Sequence, residues 1–173
     1  MCKRYIPTFH SKSVYDIPLS FYKENNIKTL LVDLDNTLDS YRAKVPTEKA
    51  ITLKNKLETI AVEMIIVSNN RPNRVGLYAD TLNVRYVPSI GKPFAKGINK
   101  AIANLNLDKE SILMVGDQTF TDIAAANRAH LRCVLTDKIV KEDQPTTHFN
   151  RLFDRPIRRW LKRKQLLNEI KGE

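Results

Sequence analysis

Four short apolar runs, each ending in polar residues, alternate along this chain with longer segments in which apolar residues recur every three or four positions. The runs occupy residues 29–32, 64–67, 84–87 and 112–115. Apolar runs of this length with abrupt polar ends are typical of buried strands, whereas the three- and four-residue spacing is typical of amphipathic helices. The pattern therefore predicts strands and helices in alternation.

Helix-start signals support this interpretation of the segments between the runs. Proline stands at or near the start of three of them, at Pro46, Pro72 and Pro93, where the first helical turn tolerates it. In a fourth, Thr121 or Asp122 is expected to cap a short helix. Because strand and helix alternate, the sequence predicts an α/β fold with a doubly wound, mostly parallel, Rossmann-like sheet and helices on both faces.

Polar residues suited to chemistry stand just after each predicted strand. Asp33 and Asp35 follow the first run, Ser68 the second, Lys92 comes after the third and Asp117 follows the fourth. Ligands of parallel sheets bind beyond the carboxyl ends of the strands, so these side chains are expected to meet at one edge. Two acids two residues apart on an extended chain point to the same side, and they repel unless one is protonated or a cation lies between them. The pattern indicates a divalent metal and phosphoryl chemistry.

These motifs resemble, in order, those of the haloacid dehalogenase (HAD) superfamily of phosphatases. They are Asp33-Leu34-Asp35-Asn36-Thr37, Ser68, Lys92, and Gly116-Asp117 with Thr121-Asp122. Val67-Ser68-Asn69-Asn70, Gly91-Lys92-Pro93 and Phe149-Asn150-Arg151 resemble more specifically the YqeG-like branch of HAD subfamily IIIA. That branch is similar to phosphatidylglycerophosphate phosphatases, and the resemblance extends over residues 6–164.

The resemblance implies catalytic roles by position. Asp33 would be the nucleophile that forms an aspartyl-phosphate, and Asp35 would be the general acid and base. Ser68 would donate a hydrogen bond to a phosphoryl oxygen. Lys92 would offset the negative charge of Asp33 and of the phosphoryl group.

The resemblance also implies a Mg²⁺ site. Its ligands would be Asp117, Asp33 and the backbone carbonyl of Asp35, an oxygen set that suits Mg²⁺. Asp122 would either hold the water shell of the metal or orient Lys92. Further polar residues beside the motifs are candidates for substrate contact: Thr37, Asn69, Asn70 and Arg71.

The segments between the motifs are too short for a cap domain. Residues 38–46 separate the first motif from its helix, and residues 68–92 have room for one helix and one strand. The site is therefore expected to be open, unless an oligomer partner covers it. An open site suits large or surface-presented phosphates such as lipid head groups, nucleic-acid ends or phosphoproteins.

Basic residues are concentrated near the end of this 173-residue chain, whose net charge is +10. In residues 151–173, eight basic and three acidic residues leave a net charge of +5. Ile157, Trp160 and Leu161 have the spacing of an apolar helical stripe, and Arg158, Arg159, Lys162 and Arg163 flank it. Such a helix either docks on an anionic membrane or a partner, or packs its stripe on the domain and leaves a solvated basic face. The charge alone would also permit weak binding to RNA.

Length and composition fit one phosphatase domain over residues 1–173, with a basic amphipathic segment over residues 151–173. Cys2 and Cys133 are far apart and form no metal-binding pattern, which is typical of the reducing cytosol. The N-terminus lacks the pattern of a signal peptide, and no stretch is long enough to cross a membrane. The predicted location is the cytoplasm, with peripheral contact at the inner membrane face.

Three functions remain open at this stage. The first is Mg²⁺-dependent hydrolysis of phosphatidylglycerophosphate at the membrane surface. The second is a broader phosphatase acting on nucleotides, sugar phosphates or nucleic-acid ends. The third is a non-catalytic, RNA- or ribosome-associated binding module, although a binding module has no need of this set of acids and Lys92 along one edge.

Overall fold

The computed structural model describes residues 3–140 and 148–170, apart from the side chains of residues 148–152. Cys2, Lys171 and the side chains of Phe149, Asn150 and Arg151, which entered the sequence interpretation, lie outside the described residues. The described strands are β1 (Phe9–Ser11), β2 (Thr29–Val32), β3 (Glu63–Val67), β4 (Arg85–Val87), β5 (Ile112–Gly116) and β6 (Arg132–Thr136). They form one sheet in the order β1-β6-β5-β2-β3-β4, and every pair is parallel. The predicted parallel α/β fold is confirmed.

The described α-helices are α1 (Leu19–Glu24), α2 (Glu48–Glu58), α3 (Pro72–Leu82), α4 (Ala95–Asn104), α5 (Ala124–Arg128) and α6 (His148–Arg163). A π-helical turn, Thr119–Ile123, leads into α5. The predicted starts of α2 and α3 are confirmed. The hydroxyl of Thr47 accepts a hydrogen bond from the backbone N–H of Ala50 at 3.4 Å, and Pro72 is the first residue of α3.

Two other predicted helix starts are wrong. Pro93 lies before α4, because the backbone N–H of Phe94 closes a turn on the carbonyl of Gly91 at 3.0 Å and the helix begins only after it. The Phe94 side chain, just before the helix, is 66% exposed. Neither Thr121 nor Asp122 caps α5, since the Asp122 carboxylate accepts a hydrogen bond from the backbone N–H of Gln118 at 3.0 Å.

Two strands and one helix extend the fold beyond the sequence prediction. β6 pairs with β5, as in the partners Leu113 and Arg132, and β1 pairs with β6, as in Phe9 and Val134. β1 has only three residues, and the arginine at the start of β6 shortens its apolar run. α1 is six residues long, which is too short to produce a clear helical period.

Apolar side chains pack on both faces of the sheet, as the doubly wound fold requires. Successive residues of a strand point to opposite faces, so Leu30 of β2 lies in one core cluster and Leu31 in the other. The first cluster includes Leu53 of α2, and the second includes Ile98 of α4. The helices therefore cover the two faces of the sheet, and the polar residues that follow the strands lie at its carboxyl edge.

The apolar stripe of α6 packs on the domain. Ile157 and Leu161 are buried in the second core cluster, and Trp160 is partly buried against it. The basic residues Arg159, Lys162 and Arg163 are exposed. The apolar residues of α6 therefore pack on the domain, which is one of the two roles predicted for this helix. No helix in the described residues is long and apolar enough to span a bilayer.

Candidate active site

Asp33 and Lys92 form a buried ion pair at the carboxyl edge of the sheet. Asp33 directly follows β2, and its backbone N–H donates to the carbonyl of Val115 at 2.9 Å. Lys92 enters from the loop after β4, and its Nζ lies 2.5 Å from Oδ1 of Asp33. The same ammonium lies 2.7 Å from Oδ1 of Asp122 and donates to the carbonyl of Val67 at 3.2 Å. One cation therefore connects three neighbouring strand ends.

Three acids beside this pair have the arrangement of a divalent-metal site. Asp33, Asp117 and Asp122 are buried, and each presents a carboxylate oxygen within 4.8 Å of the other two. Lys92 balances one of the three negative charges, and burying the remaining carboxylates without a cation is unfavourable. The donor set fits a hard divalent cation, which prefers carboxylate oxygens. The carboxylate of Asp35 is not a member of this group.

The close approach of the acids depends on Gly116. A Cβ atom at this position would lie 2.4 Å from the Cβ of Asp122, so a larger residue would push Asp122 away from the site. Thr37 is buried, and its hydroxyl donates to Oδ1 of Asp117 at 3.2 Å. In the structure this residue therefore contacts an acid of the cluster and not the open side of the site.

Asp35 points to the opposite side of the site, towards α3. Its carboxylate accepts close hydrogen bonds from Nδ2 of Asn70 and from Nη2 of Arg74, the second at 3.0 Å. The Ser68 hydroxyl is buried and accepts from the backbone N–H of Asn70 at 3.1 Å. The sequence did not predict Arg74 as a site residue, since α3 had been assigned only a structural role.

The other predicted substrate contacts occupy different positions. The side-chain amide of Asn69 donates to the carbonyl of Lys92 at 2.9 Å and accepts from its backbone N–H at 2.8 Å. Asn69 thus fixes the backbone from which the Lys92 ammonium reaches Asp33. Arg71 is exposed immediately before α3, at the margin of the site.

The buried charges shift one another's protonation. Burial raises the pKa of Asp33 well above its ordinary value; Lys92 opposes this shift, while Asp122 and Asp117 add to it. Burial likewise raises the pKa of Asp35, and the Arg74 guanidinium partly reverses the effect. Burial alone would lower the pKa of Lys92, but Asp122 and Asp33 outweigh it and the pKa is raised. Lys92 is therefore protonated, and Asp33 depends on nearby cations to ionise.

An ion pair on α6 holds the loop after β5, and the sequence interpretation missed it. Arg158 donates from Nη2 to the carbonyls of Asp117 and Thr136, the second at 2.7 Å, and its Nε lies 3.0 Å from Asp154. Asp154 is 2% exposed and accepts from the backbone N–H of Thr119 at 2.6 Å. The interpretation of Arg158 as a surface cation was wrong. Its i,i+4 spacing from Asp154 was the signal of a pair available in the sequence.

The site has no cap among the described residues. The segment of residues 68–92 contains only α3, β4 and their loops, and residues 38–47 run directly into α2. Asp39 fixes this second segment by accepting from the backbone N–H of Thr47 at 3.0 Å and from the Tyr78 hydroxyl at 2.6 Å. No inserted domain among the described residues therefore covers the carboxyl edge of the sheet where the acids lie.

The chain is similar in sequence to known proteins. A family model described as HAD-hydrolase-like matches residues 89–151. The chain is 33% identical over 162 residues to "Probable phosphatase YqeG" of Bacillus subtilis (strain 168), and the match covers 94% of each chain.

Solved structures show the likeness of fold. A hypothetical protein from Xanthomonas campestris is 13% identical, with a TM-score of 0.55 and coverage of 79% of this chain and 76% of that one. The cobalt-bound form of deoxy-D-mannose-octulosonate 8-phosphate phosphatase from Haemophilus influenzae is also 13% identical. Its TM-score is 0.50, and the match covers 67% of this chain and 81% of that one.

Proposed function

Because the chain belongs to the HAD family of hydrolases and is a phosphatase related to YqeG, we propose that it hydrolyses phosphatidylglycerophosphate through an aspartyl-phosphate, with Mg²⁺ as its cofactor. Residues 1–173 would act as one domain. The observation that carries the proposal is the Asp33–Lys92 pair, 2.5 Å apart beside two further buried acids. A carboxylate held against an ammonium at an open edge is suited to attack on an anionic phosphate.

In the first half of the reaction, an oxygen of Asp33 forms a bond to phosphorus while the bond from phosphorus to the ester oxygen breaks. Asp35, in its protonated form, gives its proton to that departing oxygen, so that the alcohol leaves neutral. Lys92 remains protonated and stabilises the charge on the phosphoryl oxygens, and the Ser68 hydroxyl donates a hydrogen bond to one of them.

In the second half, water attacks the aspartyl-phosphate. Asp35 is now ionised and takes a proton from the water, and the bond between phosphorus and the Asp33 oxygen breaks. Inorganic phosphate leaves, and both aspartates return to their initial state. Asn69 and Asn70 contribute by fixing the backbone of Lys92 and the carboxylate of Asp35.

The residues that would hold Mg²⁺ are Asp33, Asp117 and the backbone carbonyl of Asp35, with Asp122 beside them. When bound, the metal supplies positive charge that lets a carboxylate approach an anionic phosphate. The support is the excess of buried carboxylates over ammonium groups and the preference of Mg²⁺ for oxygen ligands. Arg158 and Thr37 assist by fixing the backbone and carboxylate of Asp117.

The open site supports a substrate presented at a surface. A phosphate at the end of a lipid head group can reach an uncovered sheet edge, whereas a small soluble substrate gains little enclosure there. The exposed basic face of α6 would be attracted to anionic lipid, by about 1 kcal/mol for each cation near the surface. The interpretation as a non-catalytic RNA-binding module is not retained, because the chain is a phosphatase.

The test is phosphate release by the purified protein with Mg²⁺, comparing phosphatidylglycerophosphate in vesicles with nucleotides and sugar phosphates. We expect the specificity constant for the lipid to exceed those for the soluble compounds by about 100-fold, which corresponds to about 2.7 kcal/mol. Protein carrying Asp33→Asn serves as the control for contaminating phosphatases. Faster hydrolysis of a sugar phosphate or nucleotide would show that the broader phosphatase is correct.

A further inference from the structure

Arg74 has unused hydrogen-bonding capacity beside the general acid. Its Nη2 donates to Oδ1 of Asp35 at 3.0 Å and to the carbonyl of Tyr41 at 3.4 Å. Its Nη1 is buried and has no hydrogen-bond partner among the residues that the structure describes. Buried donors are nearly always satisfied, so Nη1, in a guanidinium that lies over the Tyr78 ring at 5.9 Å, is a position at which a bound ligand could supply the missing acceptor. The side chain is 25% exposed but Nη1 itself is covered, so a ligand reaches this nitrogen only through a small movement of the side chains around it.

The place of Arg74 relative to the reaction defines which part of a substrate it would meet. In the proposed mechanism, Asp35 protonates the oxygen of the departing alcohol. That alcohol must then lie against Asp35, and Arg74 is bound to the same carboxylate at 3.0 Å. The substituents of the alcohol, and not the phosphoryl group, are therefore the atoms nearest to the guanidinium.

The surroundings of Arg74 are positively charged. Residues 40–47 and 69–74 flank this side of the site and carry four cations, Arg42, Lys44, Arg71 and Arg74. The acids beside them are already engaged, since Asp35 accepts from Arg74, and Asp39 accepts from Thr47 and Tyr78. Arg42 and Arg71 are exposed, and the carbonyl of Tyr41, which precedes Arg42, accepts from Arg74. This positive potential would attract an alcohol that bears its own negative charge, but not a neutral alcohol.

We propose that Arg74 is the centre of a second anion subsite, which binds a second phosphate group carried by the departing alcohol. A guanidinium presents five donors in a planar fork that matches the oxygens of a phosphate. Nη1 supplies a donor to this ligand while Nη2 keeps its bond to Asp35. Arg71 and Arg42 add charge at the rim. The subsite rests on the proposed function, since it selects among phosphomonoesters by the charge of their alcohol.

Two soluble substrates isolate the subsite from any membrane effect. Glycerol phosphate has a neutral alcohol, whereas glycerophosphoglycerol phosphate, the deacylated head group, carries a phosphodiester on its alcohol. The wild type should prefer the second substrate. Arg74→Gln should lower the specificity constant for the second substrate by roughly 10- to 100-fold more than that for glycerol phosphate, as for loss of a charged hydrogen bond. The difference should arise mainly in KM. Lys100→Gln, at an exposed position of α4, should change neither.

A role limited to positioning Asp35 gives a different result. In that case Arg74→Gln lowers kcat equally for both substrates, and the subsite is overturned. Arg74→Lys retains one positive charge but not the planar fork, so it should recover part of the preference if the subsite exists. Thermal denaturation of each variant shows whether it is folded.

A binding measurement separates failure of the subsite from failure of the proposed function. Glycerophosphoglycerol contains the phosphodiester but no monoester, so it should inhibit competitively in the wild type and at least about 10-fold less well in Arg74→Gln. If both substrates are hydrolysed equally well and glycerophosphoglycerol does not inhibit, the subsite is overturned, but the proposed phosphatase function is not. Absence of hydrolysis of either soluble substrate and of phosphatidylglycerophosphate in vesicles, with Mg²⁺ present, would overturn the proposed function and the subsite with it.

Discussion

Arg158 and Asp154 form an ion pair one turn apart on α6, with Nε and Oδ2 3.0 Å apart, and both residues also bind the loop that carries Asp117. A helix whose sequence suggested a surface role is thereby joined to the candidate metal site. Arg158 donates a hydrogen bond to the carbonyl of Asp117, and Asp154 accepts one from the backbone N–H of Thr119. The geometry of Asp117 therefore depends on whether α6 is docked.

This dependence can be tested by comparing Arg158→Gln with Arg159→Gln. The first change leaves Asp154 as a buried, unpaired carboxylate and should destabilise the protein by about 3 kcal/mol. It should also weaken Mg²⁺ binding by about 10-fold, because the Asp117 backbone loses its donor. Calorimetric titration with Mg²⁺ measures the affinity, and thermal denaturation measures stability. The exposed Arg159 should be neutral in both, and equal effects of the two changes would contradict the assignment.

The nucleophile is tested by Asp33→Asn. The amide keeps the shape of the side chain but cannot attack phosphorus, so phosphate release should fall to background. Lys92 keeps its ion pair with Asp122 at 2.7 Å, so folding should be retained. Circular dichroism and a thermal melt provide the check on folding. Substantial turnover in a folded variant would rule out the aspartyl-phosphate.

The metal is tested by Asp117→Ala and by chelation. Removing Asp117 deletes one of the three clustered carboxylates, so the half-saturating Mg²⁺ concentration should rise by at least about 10-fold. Excess chelator should abolish the phosphatase activity of the wild type. Ca²⁺ should replace Mg²⁺ poorly because it favours more ligands at longer distances. Full activity in excess chelator would show that the reaction does not require a metal.

Lys92→Ala tests electrostatic stabilisation at the reacting phosphoryl group. We expect kcat to fall by a factor of about 10² or more, as for other lost stabilisers of charge. The substitution also removes the group that opposes the raised pKa of Asp33. That pKa should rise further, so the acid limb of the pH–rate profile should move to higher pH. An unchanged profile, measured at saturating Mg²⁺, would show that Lys92 does not control Asp33.

The basic face of α6 is tested without disturbing the domain by replacing Arg159, Lys162 and Arg163 with Gln together. These residues are exposed, so the melting temperature should be retained. Binding to anionic vesicles should weaken, and the wild type should lose binding as salt rises, because exposed charges are screened. Sedimentation with vesicles measures this, and turnover of a soluble phosphate is the control. Unchanged sedimentation would show that α6 does not contact the membrane.

Sequence patterns predicted the parts of the fold that depend on local order. The apolar runs ended at Val32, Val67 and Val115, within a residue of the strand ends in the structure. Because carboxyl ends of parallel strands share one edge, the chain positions of Asp33 and Asp117 were enough to place them together. Pro93 was misplaced because the loop that delivers Lys92 delays the start of α4.

Contacts between side chains distant in sequence could not be predicted in the same way. Arg74 faces Asp35 only because β3 lies beside β2, which brings the start of α3 next to the first motif. Arg158 reaches Asp117 only because α6 packs against the turn after β5, and the composition of α6 resembles that of any solvated basic helix. Such partners are fixed by packing, and a single sequence carries no periodicity that reveals them.

The excess of buried carboxylates at the sheet edge implies an order of events in a catalytic cycle. Asp33, Asp117 and Asp122 outnumber the single ammonium of Lys92, so the metal-free pocket repels the dianion that it would cleave, even though the protein as a whole carries a charge of +10. The basic surface would attract phosphates, whereas the acidic pocket without a cation would repel them. In the proposed mechanism the cation would therefore bind before the substrate, and the rate of hydrolysis would depend on the concentration of free divalent metal.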